Sequence, residues 1–108
     1  VMAGLTLAHV PRQLPAPAAQ AADTEVAIRL FAFAPTPVTV KAGATVTWTN
    51  GDDITHTVTS GTPAAKDGRF EARLAVKQAS FRRTFSEAGT YPYFCERHPN
   101  MAGEVLVR

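Results

Sequence analysis

The 108-residue chain has a single cysteine, Cys95, so no disulfide can form within it. It has no Cys-x-x-Cys-His run, which excludes covalently attached haem. It has three histidines, too few for a second metal centre of the kind that copper oxidases and nitrite reductases carry. Charge is sparse: 19% of residues are charged and the formal net charge is +2, small and evenly spread, which argues against nucleic-acid binding. No hydrophobic run approaches the length needed to span a membrane. Hydrophobic residues nevertheless make up 45%, enough for one globular domain whose core needs neither a metal nor a disulfide.

The N-terminal part differs in composition. Val1 to Val10 is mildly apolar, Pro11 to Ala22 is rich in Pro, Ala and Gln, and Ala19-Gln20-Ala21 has the small-x-small form of a signal-peptidase site. Residues 1–22 are expected to be a signal-peptide remnant or an N-terminal arm, and residues 23–108 the domain. The signal reading implies an exported, for example periplasmic, protein.

From Asp23 onward the pattern is strand after strand. Val26, Ile28 and Leu30 alternate with smaller or polar neighbours, and Phe31-Ala32-Phe33 continues the run until Pro35 and Pro37. Val38 to Val40, Thr45 to Thr49, His56 to Ser60, Ser80 to Phe85, Tyr91 to Cys95 and Gly103 to Arg108 follow. Asn50-Gly51 marks a turn, and Gly61 to Gly68 reads as a loop. Glu71 to Ala79 fits a short helix or a loop. Seven to eight short strands with turn residues between them predict an all-β sandwich.

The chemistry concentrates in Cys95-Glu96-Arg97-His98-Pro99-Asn100-Met101. A thiolate, an imidazole and a thioether recur at three-residue intervals on what reads as one loop between two strands. Two His and one Cys in a trigonal set, with a long axial Met, is the ligand set of electron-transfer copper. A second His is then needed. His9 lies in the arm, which leaves His56, at the start of a strand just after the Asn50-Gly51-Asp52-Asp53 turn. Taken singly, a lone Cys or Met is more often a core residue and a His after a turn is more often solvated. Their joint spacing is what favours a metal site. Zinc is disfavoured because it rarely takes Met. A Cys95–His98 nucleophile pair would leave Met101 idle and lacks an evident acid or oxyanion partner, so no enzyme is expected.

Two strings carry a resemblance. Gly89-Thr90-Tyr91-Pro92-Tyr93-Phe94-Cys95, with His98-Pro99 and Met101-Ala102-Gly103, resembles the cupredoxins. So does the upstream set Phe33, Pro35, Val40, Gly43, Val46, Trp48-Thr49-Asn50, Asp53 and His56-Thr57-Val58. The resemblance covers about residues 26 to 108 and is nearest the short-loop, amicyanin-like form; the plastocyanin loop is longer between His and Met. It implies a Greek-key sandwich, export, and one-electron transfer through a single type 1 copper held by His56, Cys95, His98 and Met101. It also implies redox partner proteins docking near His98, and a monomer. Storage or delivery of copper with the same ligands is the alternative. Thr57 stands where the family commonly has Asn, and its hydroxyl is expected to reach the Cys-bearing loop in the Asn's place. Glu96, Arg97 and Asn100 make the usual docking patch around the second His more polar. His98 is expected to be the more exposed imidazole and His56 the more buried.

Overall fold

The computed structural model describes residues 23–108. The expected signal remnant or arm, with His9, lies outside the described residues. Nine strands form, and among the described residues there is no helix. In order they are β1 (Thr24–Arg29), β2 (Ala32–Ala34), β3 (Val38–Val40), β4 (Ala44–Asn50), β5 (His56–Thr62), β6 (Ala65–Leu74), β7 (Ser80–Phe85), β8 (Gly89–Cys95) and β9 (His98–Val107).

One sheet has the order β2-β1-β4-β7 and the other β3-β9-β8-β5-β6. The two parallel pairs, β1 with β4 and β3 with β9, are each joined by long crossovers, as parallel pairing requires. All other pairs are antiparallel. Pro35 and Pro37 lie where the chain leaves the first sheet for the second, so their missing N–H groups cost no ladder bonds.

Alternation sets which face is buried. Val26 and Ile28 on β1, Val46 and Trp48 on β4, and Val105 and Val107 on β9 point inward from alternate positions. Trp48 sits at the centre of the core, stacked on Phe81 and edge-on to Tyr93, with Phe70 and Phe85 around it. An aromatic centre of this kind combines large apolar burial with favourable ring geometry.

Four local expectations differ from the structure. First, the run from Val26 to Phe33 is broken by a two-residue turn at Leu30-Phe31, which makes two strands of one. Both turn residues have positive φ, 52° and 62°, a backbone that turn-forming Gly or Asn would have signalled and bulky residues hide. Second, Glu71 to Leu74 belongs to β6 rather than to a helix. Phe70 and Leu74 are buried and Ala72 is half-buried, a period of two. Third, most of Gly61 to Gly68 is strand, closing as a hairpin at Pro63-Ala64. Gly61 permits the close approach there: its φ is +103°, and a Cβ would lie 2.5 Å from the Ala65 carbonyl oxygen.

The fourth concerns the Cys-to-Met segment. It is a hairpin with an irregular register rather than a free loop. Cys95 pairs with His98 across the Glu96-Arg97 turn, yet the next pair is Phe94 with Ala102. Pro99, Asn100 and Met101 therefore have no partners on β8 and bulge from the ladder.

Candidate metal centre

The antiparallel register brings the candidate donors together. β5 starts at His56 and β8 ends at Cys95, and Thr59 pairs with Phe94, so the start of one strand lies beside the end of the other. The turn after Cys95 then returns His98 to the same place. One donor atom from each of His56, Cys95 and His98 falls within 4.8 Å of the others. Cys95 Sγ lies 3.7 Å from His56 Nδ1 and 3.5 Å from His98 Nδ1. The imidazole centroids are 5.1 Å apart. His56 and Cys95 are fully buried and His98 is half-buried, the order of exposure expected for the two rings. Met101, three residues beyond His98, is buried in the same core cluster as Cys95.

The polar contacts decide which atoms face the centre. His56 Nε2 lies 2.8 Å from Asp52 Oδ2. An ionised carboxylate only accepts, so Nε2 carries the proton and the Nδ1 lone pair faces Cys95. Burial alone would raise the Asp52 carboxyl. The N–H groups of Phe31 and Leu30, with the His56 ring, outweigh that and hold it below the usual carboxylate range. A carboxylate behind a histidine of this kind fixes the ring and raises its basicity as a ligand. The Cys95 sulfur accepts one backbone bond, from Thr57 N–H at 3.3 Å. A single weak donor leaves the rest of the thiolate free for a cation.

Thr57 also fulfils the role expected of it. Its hydroxyl accepts the Glu96 N–H at 2.8 Å and lies 2.9 Å from the Thr59 hydroxyl. Asn50 braces the other flank: its Nδ2 donates to the carbonyls of Ile54 and Leu74, at 2.9 and 3.1 Å, and its Oδ1 accepts Asp52 N–H at 2.8 Å. Of the polar residues beside His98, Glu96 is paired with Lys66 at 2.7 Å on the surface.

Two residues at this site carried no functional signal in the sequence. Asp52 read only as part of a turn, although an acid four residues before a candidate ligand was a hint. Phe31 read as strand. Its ring stands edge-on to both imidazoles, with centroids 5.3 Å from His56 and 4.7 Å from His98.

Two imidazole nitrogens, that of His56 with its lone pair fixed by Asp52, and one thiolate converge at a largely buried place and fit a copper ion. Soft sulfur and borderline nitrogen are its donors, and the thiol would be deprotonated on binding.

Comparison with known proteins agrees with that chemistry. The family model of copper binding proteins of the plastocyanin/azurin family matches residues 20–108. The chain is 38% identical over 82 residues to amicyanin from Paracoccus versutus, covering 76% of this chain and 62% of that one. It is 32% identical over 102 residues to amicyanin from Paracoccus denitrificans, covering 93% and 78%. Among solved structures, a purple cupredoxin from Nitrosopumilus maritimus superimposes with a TM-score of 0.72 at 28% identity, covering 80% of this chain and all of that one.

Proposed function

The chain belongs to the plastocyanin/azurin family of copper-binding proteins, and from that premise we propose that it carries single electrons between redox partners on one copper ion held by His56, Cys95, His98 and Met101. The observation that carries this reading is the convergence of His56 Nδ1, Cys95 Sγ and His98 Nδ1, with the His56 tautomer already set by Asp52. When bound, copper supplies the Cu(II)/Cu(I) couple. The protein's contribution is rigidity. His56 and Cys95 are fully buried, on strands of one sheet that Thr57 bonds to the Cys95 turn. Donors held in this way rearrange little when the charge at the site changes, and small rearrangement makes electron transfer fast.

Met101 would supply a weak thioether donor in this assignment, consistent with its burial and its place in the bulge after His98. His98, the half-buried ring at the surface, is the point of electron exit, and partners dock around it. The polar Glu96, Arg97 and Asn100 lie on that surface, while Leu30 and Phe31 supply exposed apolar groups close by. We assign no catalytic reaction to the chain, which acts as a monomer. An exported setting follows from the small-x-small site at Ala19-Gln20-Ala21. A buried lone thiol occupied by copper is also compatible with an oxidising compartment.

Cyclic voltammetry of the copper-loaded protein tests the carrier reading against storage or delivery. A carrier gives a reversible one-electron wave that persists over many cycles in the presence of a copper chelator. Loss of the wave as Cu(I) passes to the chelator would favour delivery.

A further inference from the structure

Leu30 and Phe31 form an unusual turn. They are 83% and 50% exposed, so neither is held in place by burial. Both have left-handed backbone, φ 52° and 62°, which is unfavourable for bulky L-residues. Something else must hold the turn, and that is Asp52. Leu30 N–H donates to Asp52 Oδ1 at 2.8 Å, and Phe31 N–H donates to Oδ2 at 3.0 Å. The same Oδ2 lies 2.8 Å from His56 Nε2. One carboxylate thus fixes both the turn and the buried imidazole.

The two imidazoles are secured differently. His56 has a carboxylate behind it. Among the described residues His98 has no ion-pair partner, and its ring meets Cys95 Sγ on the inner side. On another side it meets Phe31, edge-on at 4.7 Å and 84°. The phenyl spans both rings, also meeting His56 at 5.3 Å and 89°.

We propose that the Leu30–Phe31 turn is a latch: Asp52 clasps it, and the Phe31 ring holds His98 in its metal-facing orientation. Phe31 is therefore a positioning residue for the exposed imidazole, as Asp52 is for the buried one. The inference rests on the copper reading only in taking His98 as a ligand. The strained turn places an aromatic edge against the imidazole that, among the described residues, has no carboxylate behind it.

The test compares Phe31→Gly and Phe31→Tyr with the unaltered protein. Glycine suits the positive φ and removes the ring, so the fold is not weakened by strain. Tyrosine keeps the ring and should behave as the unaltered protein does. The first readout is NMR of the metal-free protein. In Phe31→Gly both imidazoles lose the ring-current shift that the phenyl confers, but only the His98 ring becomes more mobile, while His56, still held by Asp52, stays fixed. The second is Cu(I) loss to a chelator, faster by roughly 2- to 10-fold, the range expected for losing one edge-to-face pair. Should glycine unfold the domain, Phe31→Leu, which has no ring, is read in the same way. Asp52→Ala loosens both imidazoles, since it frees the turn and removes the partner of His56. An unchanged His98 ring in metal-free Phe31→Gly would overturn the latch. The metal-free measurement is independent of the copper reading, which fails separately if the protein does not bind copper through Cys95.

Discussion

The Thr57 hydroxyl accepts a hydrogen bond from the backbone N–H of Glu96 at 2.8 Å. That bond ties the strand carrying His56 to the turn between Cys95 and His98. The backbone N–H of the same threonine donates to Cys95 Sγ. The side chain and the backbone of one residue therefore position the turn and touch the sulfur.

Replacing Thr57 by Val keeps the shape and removes the hydroxyl. Glu96 N–H and the Thr59 hydroxyl each lose a partner. Stability of the metal-free protein in urea should fall by about 1–3 kcal/mol, the cost of leaving a partly buried donor unsatisfied. An unchanged midpoint would mean that water replaces the hydroxyl at no cost.

Asn50 is fully buried, and its side chain makes three hydrogen bonds to the backbone of the β4–β5 connection and of β6. Asn50→Ala leaves two carbonyls and the Asp52 N–H without this partner. We expect a loss of about 2–4 kcal/mol in equilibrium unfolding. Asp52 should also lose its fixed position, seen as increased mobility of the His56 ring by NMR. Loss of stability with an unmoved His56 ring would separate the brace from the site.

Tyr93 gives a pH dependence. Burial pushes its phenol up to about 12. The unfolded phenol titrates near 10. Below pH 10 both states keep the proton, and Tyr93 adds no pH dependence. Above it the unfolded chain loses the proton first, so stability falls as pH rises from about 10 to about 12, by roughly 2–3 kcal/mol in all. Urea midpoints across that range should show the decline in the unaltered protein and a smaller one in Tyr93→Phe. Equal slopes would show that other groups cause it.

Much of this was legible in the sequence because it depends on short-range patterns. Period-two alternation at Val26 and Ile28, Val46 and Trp48, and Val105 and Val107 gave the sandwich and its inward faces. Cys95, His98 and Met101 stand out as candidate donors by their spacing, and His56 is the remaining histidine of the domain; the structure brings His56, Cys95 and His98 together. What stayed hidden depends on contacts between distant residues. The Leu30-Phe31 turn contradicts local preference and is stable because Asp52, more than twenty positions away, accepts both its amides. The strand character of His98 depends on pairing with Cys95, and the bulge on where that pairing resumes, at Phe94 and Ala102. β6 looked ambiguous because only its pairing with β5 selects the extended form over a helix.

The most direct test of a copper centre at His56, Cys95, His98 and Met101 is the visible absorption spectrum on adding one equivalent of Cu(II) to the metal-free protein. A thiolate bound to Cu(II) in a trigonal site gives intense charge transfer. We predict a strong band toward the red end of the visible, absent in Cys95→Ser and retained in Met101→Leu, because the proposed thioether donor would bind only weakly. A colourless Cu(II) complex, or the same band in Cys95→Ser, would contradict the account.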